Sequence, residues 1–464
     1  MNPVTACPVG GVLPSPLTPT RWLLRRAAWG AVIALAQPFL CATQSLGAMR
    51  AGLERIDITP PPGARMGGYG ARQGVATGIL DPLFAQVLVL DDGRTSVALV
   101  TLDLIAVFDR EGMDAIRQRA RASGIQDVVF VNSHTHSGPI FSSIPESYSK
   151  ALDAVAMGIE RARKNTVEVR FGAGWGAVQI GFNRRYEPPS GPAVMQWRNE
   201  TAVATFPIDP TVGVIRLDGE DGQPLAILVH YACHPVVLGP DNLAYSADYP
   251  GEMRRTIETA FPNSMAFFLQ GGAGNINPFH DKTPLIQDAV TLMRATGRKL
   301  GEEAVRTARA ITTRPPETPE IKVSVSEMEF APRYDPVVME AALRERYGDG
   351  ASSRVVPQGP AKLPVTTIVL NRDLAFVGMP GEPFVEFQLY LRAQSPLPHT
   401  YFLGYCNGAF GYIPTIEASV RGGYGAAGTT TRYEVGFGEH MIHRGIVEIY
   451  KLLGMLKPTP EDPS

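Results

Sequence analysis

Cysteine is scarce, with four residues in a chain of 464. Two of them, Cys7 and Cys41, lie in the N-terminal stretch, which leaves Cys233 and Cys406 for the body of the protein. A disulfide-built scaffold is thereby excluded. One bridge between the remaining pair and two buried free thiols are both open readings. Neither sign of charge is in excess: 43 Lys and Arg stand against 45 Asp and Glu, a formal net charge of -2. That balance offers no hold for nucleic acid or an anionic membrane. Long apolar runs are also missing. The run Ala27–Leu40 is short for a bilayer span and contains Pro38. There is no fixed-period repeat. The glycine-rich stretch "GGAGNINP" lacks the Gly-Lys-Ser/Thr element of a phosphate-binding loop. Histidine is sparse too, at eight residues, so any clustering among them is informative.

What is present begins with an address. "RWLLRRAAWGAVIALAQPFLCATQSLGA" carries a basic patch (Arg21, Arg25, Arg26), an apolar run, and small residues from Ser45 to Ala48. This is the layout of a secretory signal peptide. The expected organisation is a signal peptide over 1–48 and one mature domain over 49–464, periplasmic or secreted, with no stable membrane span after cleavage. The oligomeric state is left open.

The body of the chain alternates strand and helix signals. "FAQVLVLDD" and "SVALVTLDLIAVF" read as strands and "EGMDAIRQRARAS" as an amphipathic helix leading into the strand "DVVFVN". "PLAILVHYACHP" and "MAFFLQ" are further apolar strands. "YPGEMRRTIETAF", with Pro250 suited to a first turn, and "DAVTLMRATGRKLGEEAVRTARA" are helices. "DLAFVGMP" is a strand, with a helix expected from Pro383 onward. "TTRPPETPEI" and "YGDGASSRVVPQGPAK" read as loops. This rhythm predicts an α/β fold, a mixed β-sheet core with flanking helices.

Four of these apolar strands end in polar chemistry. "VVFVN" runs into His134 and His136, "LAILVHYA" into Cys233 and His234, "MAFFLQ" into the loop with Asn275 and Asn277, and "LAFVGMP" into Gly381-Glu382. Ligand crevices of open α/β sheets lie beyond the carboxyl ends of strands. Imidazole and carboxylate gathered there suit a zinc ion. His230 and His234 have a zincin-like spacing, but no Glu follows the first. His230 lies inside the strand and reads as a buried, hydrogen-bonded histidine. His280, His399, His440 and His443 read as structural or surface residues. The glycines of "GGAGNINP" are expected to let backbone approach a bound group.

The motifs "NSHTHSGP", "FNRR", "HPVVLGPDNLAYSADYPG", "GAGNINP", "PGEP" and "GYIPT", in this order, resemble the neutral/alkaline (non-lysosomal) ceramidase family. The likeness extends from "DITPPPGARMGGYG" to "NGAFGYIPT". It implies one Zn2+ per chain, held by His134, His234, Glu382 and Tyr412. It implies further that His136 faces the bound water or scissile carbonyl, that Arg184 contacts the acyl side, and that Tyr424 lies near the metal. Zinc lowers the pKa of a bound water from 15.7 toward roughly 7, so the expected activity is zinc-dependent hydrolysis of an N-acyl (amide) bond by that water. His136 would shuttle the proton. Alternatives are a zinc hydrolase of ester, lactone or phosphoester bonds, and a non-catalytic ligand-binding homologue.

Two departures stand out. Asn275 and Asn277 occupy positions where the family carries Asp and Ser, so Asn277 enters the candidate site in place of a hydroxyl. Asn cannot form an acyl-enzyme. The family's C-terminal β-sandwich domain is also not expected here. Together they point to a small N-acyl or lipid-like substrate other than membrane ceramide.

Overall fold

The computed structural model describes residues 47–199, 201–203, 205–347 and 356–456. The signal-peptide reading falls almost wholly outside the described residues, as does the middle of the second expected loop.

Eight strands form one mixed sheet: β1 (Arg50–Asp57), β2 (Phe84–Asp91), β3 (Ser96–Leu102), β4 (Asp127–Asn132), β5 (Val167–Ala177), β6 (Thr211–Gly219), β7 (Pro224–Tyr231) and β8 (Met265–Gln270). Their order is β8-β7-β6-β5-β1-β2-β3-β4. The outermost pair on each side is parallel and the pairs between are antiparallel. A second sheet holds β9 (Ile321–Phe330), β10 (Ala361–Leu370), β11 (Leu374–Gly378) and β12 (His399–Leu403), in that order. The expected mixed sheet with flanking helices is present; a second, four-stranded sheet, which the sequence did not separate from it, packs against it, and four two-stranded ladders complete the pairing among the described residues.

The reason lies in the strands themselves. β2, β3 and β4 are apolar almost throughout, as strands buried on both faces must be. Successive side chains point to opposite faces, so each strand feeds two cores. Leu88, Leu90, Val97, Leu99, Val129 and Val131 pack with Ile368, Leu370, Phe376 and Leu403 of the second sheet. Val87, Val89, Ala98, Val100, Val128 and Phe130 pack instead against helices α1 (Arg110–Ala122) and α2 (Pro145–Lys164). Helices α3 (Tyr249–Ala260) and α4 (Ala289–Ala310) cover the β6–β8 end of the same outer face. A short helix, α5 (Pro336–Tyr347), follows β9. Helices α6 (Val385–Gln394) and α8 (Phe437–Leu452) cover the second sheet, with the short α7 (Ile416–Arg421) between them. Asp109 caps α1 by accepting from Gly112 N at 2.7 Å, and Pro250 lies in the first turn of α3, both as helix starts require. The run "SVALVTLDLIAVF" stops being strand at Leu102.

The large sheet curls until its edges meet. Gln270, at the end of β8, donates to Ser133 O just beyond β4 at 2.8 Å, and Gln86 of β2 donates to Ala266 O of β8 at 2.9 Å. The segment after β12 lies in this seam. Gly404 N donates to Gln270 O at 3.0 Å on one side, and Asn407 N donates to Phe130 O at 2.9 Å on the other. Cys233 and Cys406 are both free and buried. Among the described residues no helix is long and apolar enough to cross a membrane.

Candidate metal centre and active site

The carboxyl ends of β4, β7, β8, β11 and β12 converge at the seam. His134 and His234 enter from β4 and β7 with their ring centroids 5.0 Å apart. His134 adopts a left-handed backbone, φ 68°, a conformation that costs a non-glycine residue about 1–3 kcal/mol and clusters at functional sites. Its ring is fixed from behind: Nδ1 lies 2.5 Å from Ile105 O. His234 Nδ1 likewise faces Ala273 O at 2.6 Å and Ile276 O at 3.1 Å. A carbonyl can only accept, so in both neutral rings Nδ1 carries the proton and Nε2 is left as a lone-pair donor. Both Nε2 atoms turn to one carboxylate oxygen, Glu382 Oε2, at 3.5 Å from His134 and 3.3 Å from His234. Nδ1 on a backbone carbonyl with Nε2 directed inward is the orientation in which metal-binding histidines are held.

Glu382 arrives with Tyr412. The two residues pair in a two-residue parallel ladder, Glu382 against Tyr412 and Pro383 against Ile413. The glycine-rich loop after β8 closes against this ladder. Gly274 N donates to Pro383 O at 2.8 Å, and a Cβ at Gly274 would lie 2.4 Å from Glu382 O. The glycine thus permits a close approach of the loop to the Glu382 backbone. Burial pushes the Glu382 carboxyl up, but His134 and His234 outweigh it and hold the group well below the usual carboxylate range. Burial takes the His234 imidazole down to about 4. Burial, aided by the two neighbouring imidazoles, also takes His136 well below its ordinary value.

His136 differs from the other two. Its ring lies 5.0 Å from that of His134 and 5.9 Å from that of His234, and its ligating atom falls within 4.8 Å of theirs. Neither of its nitrogens has a hydrogen-bond partner, so nothing fixes its tautomer. Its ring lies 4.7 Å from that of Tyr69, tilted by 59°. Arg72 Nη1 holds the His136 and Gly67 carbonyls at 2.7 Å each.

A buried hydrogen-bond chain lines the opposite wall. Tyr412 hydroxyl accepts from Arg184 Nη2 at 3.0 Å, Asn277 Oδ1 accepts from Arg184 Nη1 at 3.2 Å, and Asn277 Nδ2 donates to Asp281 Oδ2 at 2.7 Å. The Arg184 guanidinium lies 5.2 Å from the Tyr424 ring and 5.6 Å from that of Trp197. Asn275 serves α6 instead: its Oδ1 accepts from Val385 N at 3.0 Å and its Nδ2 donates to Glu386 at 2.9 Å.

His134, His136 and His234 form one cluster with Glu382 against two of them, and Tyr412, Arg184, Asn277 and Tyr424 join it through a chain of pairwise contacts. His230 is apart from it, buried in β7 with Nε2 on Phe402 O at 2.7 Å. Sequence reading missed Tyr405, whose ring lies 4.2 Å from that of His134. It also missed the Tyr69 wall and the Asp281–Lys282 ion pair. Tyr405 stands just past the end of β12, so the strand-end rule applied to "YFLGY" would have found it.

The family model for neutral/alkaline non-lysosomal ceramidase, N-terminal, matches residues 49–280. Among solved structures, a ceramidase complexed with C2 has TM-score 0.70 at 18% identity, over 90% of this chain and 77% of that one. The crystal structure of neutral ceramidase from Pseudomonas aeruginosa also gives 0.70 at 18% identity, over 90% and 76%. At such identities the likeness is one of fold.

Proposed function

The chain belongs to the neutral/alkaline non-lysosomal ceramidase family, and from that membership and the site geometry we propose that it is a zinc-dependent hydrolase of an N-acyl amide bond. The observation that carries the reading is the pair of imidazoles, His134 and His234, each anchored at Nδ1 and each presenting Nε2 to Glu382. Two imidazoles and a carboxylate are donors that zinc takes, and Tyr412, implied by the family likeness, would be the fourth ligand. When bound, zinc would act as a Lewis acid and supply an activated water at neutral pH. His136, with both nitrogens unpartnered, takes the proton of the attacking water and passes it to the leaving nitrogen. Its lack of an anchor at either nitrogen argues against a ligand role. Arg184 and Tyr424 stabilise negative charge on the acyl oxygen. No acyl-enzyme is involved: "GAGNINP" has no hydroxyl or thiol, and burial drives the Cys233 thiol well up in pKa.

Asn277 is engaged at both ends of its amide. It is therefore not free to greet a sphingoid head group, and its burial leaves no room to reorganise. The reading favours a smaller or more soluble N-acyl compound over ceramide. The basic–apolar–small pattern of the N-terminus supports export to the periplasm or beyond.

The test is metal analysis of the purified protein together with turnover of short N-acyl amines, ceramide, esters, lactones and phosphoesters, with and without a chelator. One zinc per chain and chelator-sensitive cleavage of short amides in preference to ceramide are expected. His134→Ala and His234→Ala should lose zinc and reduce turnover to background. A His234→Ala protein that keeps its zinc would sink the ligand set, and cleavage of esters alone would sink the amide assignment.

A further inference from the structure

We propose that Tyr405 is a positioning residue of the metal centre through its ring and the donor to a bound oxygen through its hydroxyl; this rests on the site being a metal centre. Four observations meet at this residue. Its ring lies 4.2 Å from that of His134 at a tilt of only 32°, and 6.2 Å from that of His234 at 88°. One face thus backs the first imidazole while the edge abuts the second. Its backbone N donates to Gly381 O at 2.8 Å, next to Glu382. Three of the four proposed ligands are thereby contacted, directly or through the adjoining residue, from one position.

The third observation is conformational. Tyr405 has φ 56°, in the left-handed region that bulky residues avoid. The seam enforces this. Gly404 is held to β8 and Asn407 to β4, and the Asn407 side chain accepts from Phe130 N at 3.0 Å and Arg117 at 2.9 Å while donating to Thr366 at 2.9 Å. The segment is clamped on both sides, and the backbone between the clamps turns the tyrosine toward the histidines. The fourth is an unmet donor. The residue is 2% exposed and its hydroxyl has no hydrogen-bond partner. A buried hydroxyl without a partner is costly, and such groups ordinarily have an explanation in a ligand, an ion or a water. Beside His134 and His234 the natural acceptor is an oxygen brought to the metal centre: a water, or the carbonyl or carboxylate oxygen of an acyl group.

Two variants of the full chain separate the ring from the hydroxyl. Tyr405→Phe keeps the ring. It should bind zinc within about twofold of the parent in competition with a chelator. On the zinc-loaded protein it should weaken acetate binding, followed by calorimetry, by roughly tenfold, the scale of one lost hydrogen bond to a charged group. With an active substrate, kcat should fall about 10–100-fold at little changed KM. Tyr405→Leu removes the ring and should weaken zinc binding about 10–100-fold, as loss of a ligand's support does. Unchanged acetate affinity in Tyr405→Phe would overturn the donor role. Unchanged zinc affinity in Tyr405→Leu, with only a lower Tm, would reduce the ring to core packing. Should the parent cleave no amide, the zinc and acetate measurements still decide the matter, because neither depends on turnover. Should Tyr405→Leu not fold, Tyr405→Phe still tests the hydroxyl and Tyr405→His, which keeps a flat ring, tests the support.

Discussion

At the scale of single residues, the histidines divide by what surrounds each nitrogen. His230 and His234 are four apart and both buried, yet only His234 leaves Nε2 facing a carboxylate. His230 spends its Nε2–H on Phe402 O and its Nδ1 has no partner. Burial, the dominant influence, holds its pKa near 4. An unfolded imidazole titrates near 6.5. Between those values the unfolded chain binds one proton more than the folded one, so stability falls as pH drops from about 6.5 toward 4 and is untouched by this group above that window. The loss at pH 5 should be about 2 kcal/mol. His230→Gln should therefore lose about 2 kcal/mol less than the parent between pH 7 and pH 5, measured by denaturant unfolding in chelator. Equal losses would mean that His230 does not remain neutral in the fold.

At the scale of elements, strands and helices deliver the site while short segments shape it. The segment Gly67–Arg72 is one such wall. Tyr69 hydroxyl donates to Leu238 O at 2.7 Å, which fixes the segment across the cleft. Gly68 sits at φ 97°, and a Cβ there would meet His136 Cγ at 2.3 Å. Glycine is thus required twice, by backbone and by approach. Gly68→Ala should push the imidazole aside without touching His134, His234 or Glu382. The expected result is a fall in kcat/KM of about 10–100-fold, the scale of a group misplaced by an ångström, with zinc content unchanged. Full activity in this variant would show that the position of His136 is immaterial to the reaction.

At the scale of the whole molecule, the curl of the large sheet needs its outer layer held. Arg254 of α3 makes a two-pronged pair with Asp103, at the end of β3, at 2.8 and 2.6 Å. Both side chains are buried. The pair joins the helix layer over β6–β8 to the opposite half of the sheet, across the seam. Removing one partner of such a pair strands a charge and costs about 3–5 kcal/mol, whereas replacing both by apolar groups is near neutral. Asp103→Asn should be destabilised on that scale in denaturant unfolding. Asp103→Leu combined with Arg254→Met should recover most of the loss. If the single variant is as stable as the parent, the contact is not structural and the seam is held without it, by Gln86, Gln270 and the segment after β12.

The sequence by itself determined the elements and the chemistry they carry. An apolar strand followed by a polar break is a local pattern, written in the period of the backbone, and it pointed to His134, His136, His234 and Glu382 without any tertiary information. Family motifs added Tyr412, Arg184 and Tyr424. Only the tertiary structure decided that these residues meet. β4 and β8 are the two ends of an eight-stranded order, and nothing in a strand's own composition says how far a sheet will curl or what will lie between its edges. The same is true of the second sheet: a strand buried on both faces reads as a continuous apolar run whichever layer covers it. Asn277 was legible as an unusual residue, but its tie to Arg184 was not, because a side-chain hydrogen bond across 93 residues of chain has no period. Tyr405 could have been picked out as a polar residue just past a strand end, but its contact with His134 could not. Its place follows from two clamps on neighbouring residues, Gly404 against β8 and Asn407 against β4, and these exist only once the sheet has closed.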